Sequence, residues 1–291
     1  MSAPCIIIPS KDRPDLLPVA VRSALGALPA DSGEVLVVDD ASAPPAAECL
    51  SSISDNRLRV LVNPGPHGPA AARNFGVSQT SADTVLFLDD DDQMVPGYAE
   101  WVGNLRSSNP SVQYGYSDIH SFSGETTLPT SFVADTIALT ALPFRKQVAG
   151  LGCGFWVDRA LFEKVGGIAE DLLVNEDTDF TIRLLASGAT GCKATSAGVH
   201  VRAHDNAANL GHITLRARAA DRAGYFRKIL DRNASWLDKH PEARRHIQKR
   251  LLKMQAKAGL WHEARQTLSQ PGATTLWPYF AINAVMYRLK P

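Results

Sequence analysis

Four consecutive carboxylates, Asp89, Asp90, Asp91 and Asp92, follow directly on the run Thr84-Val85-Leu86-Phe87-Leu88. The run is apolar, partly β-branched and too short for a helix, which predicts a buried strand. Adjacent carboxylates repel one another, and burying each without a partner would cost several kcal/mol. At the carboxyl end of a central strand they can instead face a crevice and hold a hard divalent cation. Mg²⁺ and Mn²⁺ take oxygen ligands and bridge a few carboxylates to the phosphates of a substrate. The plainer alternative is an acidic turn that caps the helix after Pro96. Two further acidic pairs stand at element ends: Asp39-Asp40 closes the run Val35-Leu36-Val37-Val38, and Glu176-Asp177 opens a helical pattern through Phe180, Leu184 and Leu185.

Over the first hundred residues, strand-like runs alternate with helical patterns. Cys5-Ile6-Ile7-Ile8, the run before Asp39, Leu58 to Val62 and the run before Asp89 read as strands. Helical patterns fall between them, from about Pro14 to Leu28, near Pro45, and from Ala70 to Asn74. Continuous apolar strands separated by helices predict an α/β fold, a mixed, mostly parallel central sheet flanked by helices. Such sheets bind ligands beyond the carboxyl ends of their strands. Asp39, Asp40, the loop Asn63 to Pro69 and the aspartate run all belong to that edge. Tyr114, Tyr116, Ile119 and Phe122 alternate like an antiparallel strand, whereas 124–150 is mixed, with room for a mobile loop. Gly152 to Val157 and Lys193 to Val201 read as further strands. From Thr214 onward the pattern is helical, with a break at Pro271 to Thr275.

The 291 residues suffice for one large domain, or one domain with an appendage, and 45% are hydrophobic and 21% charged, as in a soluble globular chain. No apolar run is long enough to span a bilayer, and Met1-Ser2-Ala3-Pro4 enters a strand with no basic leader. The four scattered cysteines form no CxxC pair and are expected to be reduced thiols in a cytoplasmic protein. Net charge is zero, but residues 1–204 hold 14 Lys and Arg against 24 Asp and Glu, and residues 205–291 hold 16 against 6. An acidic body suited to cations thus precedes a basic tail that can meet anionic lipid, an anionic acceptor or the body itself. Without a base-reading motif in that tail, nucleic acid is not an expected partner.

In order, Ile8-Pro9-Ser10-Lys11-Asp12-Arg13, Val37-Val38-Asp39-Asp40-Ala41-Ser42, Gly68 to Asn74, Phe87 to Asp92 with Pro96, Val165-Gly166-Gly167, and Asn175-Glu176-Asp177 with Asp179 resemble the family 2 glycosyltransferases, which have the GT-A fold. The resemblance covers roughly residues 4–205. It implies a catalytic, nucleotide-sugar-binding domain at 1–205 and a helical C-terminal extension at 206–291. It also implies inverting transfer of a sugar from a nucleotide diphosphate donor, a UDP-sugar by expectation, with Mn²⁺ or Mg²⁺ as cofactor. A diphosphate leaving group needs its charge neutralised, and an acceptor hydroxyl needs a carboxylate to take its proton.

By the same resemblance, Pro9 and Asp40 contact the nucleobase and ribose, and Arg73 approaches the base or phosphates. Asp89 and Asp91 form the family's DxD, with Asp91 the metal ligand and Asp89 or Asp90 near the ribose and phosphate. Asp90 departs from the commoner pattern, which has a small residue there. Asp92 points away or caps a helix. Asp177 is the candidate base, kept ionised by a helix start, with Glu176 beside it on the acceptor side. Asp179 lies on the second face of that helix. His204, in Val201-Arg202-Ala203-His204, is expected over the metal or pyrophosphate. Trp156 falls where an acceptor sugar would stack, or anchors the following helix.

The tail reads as paired helices, 250–259 and 261–268, followed by the apolar segment Trp277 to Leu289. That segment can dock on a membrane at its inner face, on the body, or on a second subunit in a homodimer. Expected partners are the donor and a glycan or lipid-linked acceptor in polysaccharide or glycoconjugate assembly. The competing reading is a non-catalytic scaffold that binds a nucleotide or glycan. A sugar-1-phosphate nucleotidyltransferase would share the alternating sheet, but its first loop is glycine-rich and Pro9-Ser10-Lys11-Asp12-Arg13-Pro14 is not.

Overall fold

The computed structural model describes residues 2–203 and 217–288. Nine strands form one sheet among these residues: β1 (Cys5–Ser10), β2 (Glu34–Asp39), β3 (Leu58–Val62), β4 (Thr84–Leu88), β5 (Gln93–Met94), β6 (Val112–Phe122), β7 (Thr136–Ala138), β8 (Cys153–Asp158) and β9 (Thr190–Arg202). Their order is β3-β2-β1-β4-β8-β6-β9-β5, with β7 also on β9. The first four run parallel, with Ser10 opposite Asp39. From β8 onward the sheet is mixed: β8 is antiparallel to β4 and β6, and β6 is parallel to β9. The alternating Tyr114 to Phe122 segment therefore has both kinds of neighbour.

Body helices α1 (Leu17–Ala27), α2 (Ala46–Cys49), α3 (Pro69–Ser78), α4 (Tyr98–Ser108), α5 (Phe144–Gln147), α6 (Arg159–Lys164) and α7 (Glu176–Ala186) connect these strands. Successive strand residues point to opposite faces, and each face is covered. Ile6, Ile8, Val35, Val37, Leu86 and Leu88 meet Leu17, Val21, Ala24 and Val102 of α1 and α4. Cys5, Ile7, Leu36, Val38, Val85 and Phe87 meet Ala72, Val77, Phe162 and Phe180 of α3, α6 and α7. This double covering explains why the strands read as unbroken apolar runs. All four cysteines are free thiols.

Trp156 is fully buried, which corrects its expected place against an acceptor sugar. In β8 it sits opposite Leu86 and Gly115, and a Cβ on Gly115 would lie 2.8 Å from the indole. The missing side chain of Gly115 is what admits the ring, so Trp156 is a core residue. The 124–150 region holds β7, a short 3₁₀ turn and α5.

The expected domain boundary at 205/206 lies outside the described residues. Beyond it come α8 (Ala219–Arg232), α9 (Ala234–Leu237), α10 (Pro241–Ala258), α11 (Trp261–Leu268) and α12 (Trp277–Arg288). Phe226, Ile229, Ile247 and Leu251 of this extension share a core with Phe144, Leu172 and Ile182 of the body. Ion pairs from Lys228 and Arg232 to Asp171, at 3.0 and 2.8 Å, border the contact.

Candidate functional site

The carboxyl ends of β1, β2 and β4, the start of α3 and the start of α7 enclose a cleft of about 460 Å³. Pro9, Asp40, Arg73, Asp89, Asp90, Asp91 and Glu176 all line it, so seven of the residues expected from sequence meet in one place. Lys11, Arg13 and His67 line it too.

Asp39 and Asp40, adjacent in sequence, divide the work. Asp39 accepts from the N–H groups of Ser42 and Ala46, both at 2.8 Å, and so fastens the turn into α2. Asp40 faces the cleft and accepts from Asn63 Nδ2 at 2.7 Å and the Gly68 N–H at 2.8 Å, with His67 Nδ1 at 2.9 Å. Burial alone would raise its pKa, but these bonds outweigh it and hold the carboxyl below its ordinary value. Gly68 donates its N–H at the start of α3 from φ +123°, a conformation that side chains disfavour. Asp40 therefore organises the loop that forms one wall, as well as offering a carboxylate edge to a ligand.

Arg73 is buried on α3 and bridges two parts of the site. It pairs closely with Asp89 and reaches Glu176 at 3.9 Å. Its Nε is buried without a partner among the described residues. Asp89 leans over Gly152, where any Cβ would collide with the carboxylate. Asp90 accepts from the Lys11 N–H at 3.2 Å. Arg13 lies 3.9 Å from Asp90 and 3.6 Å from Asp91. Asp92 turns away, as expected, and accepts from the Arg202 N–H of β9 at 2.8 Å. Burial, reinforced by the charge of Asp91, pushes Asp90 up to about 7. Burial and the charge of Asp89 push Asp92 up to about 8.

This crowding bears on the metal expectation. Among the described residues no group of three or more His, Cys, Asp or Glu side chains converges as a ready cage. His204 lies outside the described residues. The donor set is nonetheless all oxygen, and its mutual repulsion would be relieved by a divalent cation. Mg²⁺ sites of this kind use one or two carboxylates and complete their shell with substrate phosphates and water. The residues fit such an ion.

The start of α7 supplies the other wall. Asn175 precedes it in a left-handed conformation, φ +68°, tolerated better by asparagine than by most residues. Glu176 is raised to about 7, first by burial and then by the charge of Asp177, with Arg73 opposing. Asp177 is also raised above the ordinary carboxylate range, because burial outweighs the bonds from Thr178 and the charges of Arg250 and Arg73. This corrects the expectation that the helix start lowers it: desolvation exceeds the dipole. A carboxylate shifted toward neutrality is a stronger proton acceptor, yet can stay ionised at physiological pH. Asp177 also shares its surroundings with Cys153 of β8, which in turn feels Asp89 and Asp92.

Three contributors have roles that the local sequence does not signal. Asn63 and Gly152 reach Asp40 and Asp89 from loops. Arg250 comes from α10 in the extension: its Nη1 lies 3.3 Å from Thr178 Oγ1, which is 3.1 Å from Asp177 Oδ1. Its guanidinium rests on the Phe226 ring at 4.7 Å. Asp179, on the second face of α7 as expected, is wholly buried and accepts from Arg183 Nε at 2.8 Å and Asn233 Nδ2 at 2.9 Å. Arg232 adds a pair at 3.3 Å.

A parallel-stranded half sheet whose carboxyl edge opens into an acidic, arginine-bearing cleft defines an α/β fold of the GT-A kind. The model of glycosyl transferase family 2 matches residues 5–165, and the chain belongs to that family. It is 28% identical over 241 residues to the succinoglycan biosynthesis protein ExoU of Rhizobium meliloti, covering 75% of this chain and 68% of that protein. It is also 28% identical over 151 residues to the Escherichia coli enzyme WfgD, a UDP-Glc:alpha-D-GlcNAc-diphosphoundecaprenol beta-1,3-glucosyltransferase, covering 51% and 56% respectively. The chain thus spans only 56% to 68% of the length of these relatives. The crystal structure of Staphylococcus aureus TarS 1–349 in complex with UDP shares the fold, with a TM-score of 0.60 at 16% identity over 88% of this chain and 71% of that one.

Proposed function

We propose that this chain is a metal-dependent inverting glycosyltransferase that moves a sugar from a nucleotide diphosphate donor, a UDP-sugar, to a hydroxyl of a glycan or lipid-linked acceptor in polysaccharide or glycoconjugate assembly. The observation that carries the reading is the convergence of Asp40, Arg73, Asp89 to Asp91 and Glu176 on one cleft, with Asp177 at the same helix start. A nucleotide scaffold has use for the first group but not for a half-buried carboxylate of raised pKa beside it. The UDP-Glc donor of WfgD and the UDP bound to TarS support UDP-linked donors, and the diphosphoundecaprenol acceptor of WfgD supports a lipid-linked acceptor.

In this reading Pro9 and Asp40 hold the base and ribose, and Lys11, Arg13 and Arg73 face the phosphates. Asp91, with Asp89 beside it, would hold Mn²⁺ or Mg²⁺, which when bound neutralises the charge developing on the leaving diphosphate. Asp177 accepts the acceptor's hydroxyl proton as its oxygen bonds to the anomeric carbon from the face opposite the leaving group. The bond to the diphosphate breaks, and its electron pair leaves with the nucleotide. Asp89 and Arg73, being paired, keep each other oriented at the phosphate side.

The test is thermal stability against a panel of nucleotide diphosphates and nucleotide sugars, with and without Mn²⁺ or Mg²⁺. A ligand that binds only the folded state must raise the midpoint. A shift with uridine nucleotides that grows with the cation is expected. A shift that ignores the cation removes the metal from the proposal, and no shift with any nucleotide rejects the donor site.

A further inference from the structure

Helix α12 presents apolar side chains to solvent where a surface helix ordinarily carries polar ones. Trp277 is 49% exposed, Ile282 61%, Val285 56% and Met286 47%, and Ala281 is exposed among them. Positions 277, 281, 282, 285 and 286 fall on one helical face. Phe280 and Asn283 turn inward, and Phe280 joins Leu252, Ala256, Ala264 and Leu268 in a small core. The helix contains no acidic residue. No helix among the described residues is long and apolar enough to cross a membrane, so this face can lie on a surface but not traverse one.

A basic ridge runs beside it. Arg245, Lys249, Lys253 and Lys257 recur every fourth residue on α10, and all four are exposed. Lys249 Nζ stands 5.3 Å from the centre of the Tyr279 ring of α12, which places the ridge along the apolar face. Arg288, at the far end of α12, lies 4.6 Å over the Trp261 ring. Between residues 241 and 288 the only carboxylates are Glu242 and Glu263. A contiguous exposed apolar face marks an interaction site. The uncompensated positive charge of the ridge beside the apolar face is complementary to an anionic partner.

We propose that α12 and the α10 ridge form an interfacial docking surface for an anionic lipid bilayer. Trp277, Ile282, Val285 and Met286 enter the boundary between headgroups and acyl chains, while Arg245, Lys249, Lys253 and Lys257 sit over the headgroups. None of its residues lines the cleft, and the inference goes beyond the transfer reading without depending on it.

The test is co-sedimentation of the full chain with vesicles of phosphatidylcholine alone and of phosphatidylcholine mixed with phosphatidylglycerol, at low and high salt. Binding to the mixed vesicles that weakens with salt is expected. The double variant Ile282→Glu, Met286→Glu replaces exposed side chains, so its thermal midpoint should hold while vesicle binding falls by about tenfold or more. Lys249→Glu with Lys253→Glu should produce a comparable loss. Failure to bind mixed vesicles, equal binding to neutral ones, or wild-type binding by the Ile282→Glu, Met286→Glu variant would each overturn the proposal. So would a solution dimer broken by Ile282→Glu in a chain that ignores vesicles, which would assign the face to a second copy.

Discussion

At the scale of single residues, the proposed chemistry rests on carboxylates that look alike in sequence and differ in surroundings. Asp177→Asn keeps the shape and removes the proton acceptor, so kcat should fall by about 10²- to 10⁴-fold, with donor affinity nearly unchanged by calorimetry. Equal loss of both would remove Asp177 from the role of base. Asp91→Ala should weaken cation-dependent donor binding, and unchanged Mn²⁺ dependence would take it out of the metal shell. Stability carries a separate signature. Asp90 and Glu176 are raised to about 7 when folded, while the unfolded chain titrates in the ordinary carboxylate range. Between those limits the native state holds more protons, so stability should fall as pH rises through that interval. Asp90→Asn should flatten the fall in a midpoint-against-pH series recorded without divalent cations. How much of this was legible depended on distance along the chain. The aspartate run announced itself because like charges need a reason to cluster. The split between Asp39 and Asp40 did not, since it depends on Asn63 and Gly68 arriving from another loop. Trp156 misled because its size suits a sugar platform and a core equally, and only the absence of a side chain at Gly115 decides between them.

At the scale of elements, α7 is held from both sides by the extension. Asp179 is buried with Arg183, Asn233 and Arg232 around it, so Asp179→Ala leaves buried cationic and amide groups unpaired and should cost about 3–5 kcal/mol of stability. Denaturant unfolding would measure it, and a loss near zero would mean that the junction relaxes around the gap. Arg250 acts at the other end of the same turn. Asp177 is faced by Glu176, Arg73, Cys153 and Arg250, and must be ionised to accept a proton. Activity should therefore fall as pH drops through its raised pKa. Arg250→Met should move that acidic limb upward by about one pH unit, with Arg250→Lys restoring most of it. The parallel strands were readable as elements because double-sided burial makes them continuously apolar. The pairing of β8, β6 and β9 was not, because register among distant segments leaves no local trace.

At the scale of the whole molecule, the division of charge is partly resolved internally. Lys228 and Arg232 answer Asp171, Arg232 answers Asp179, and Arg250 stands by Asp177, while the α10 ridge keeps its charge outward. The basic tail was legible from composition, but its partition between body and surroundings required the fold. The reach of Arg250 to Thr178 also has a bearing on synthesis. A ribosome delivers Asp40, Asp89 and Asp177 long before it delivers residue 250, so a nascent chain can shape its nucleotide cleft while the proton-accepting end still lacks its arginine. The proton-accepting end is therefore completed only once α10, the same helix that carries the outward basic ridge, has been made.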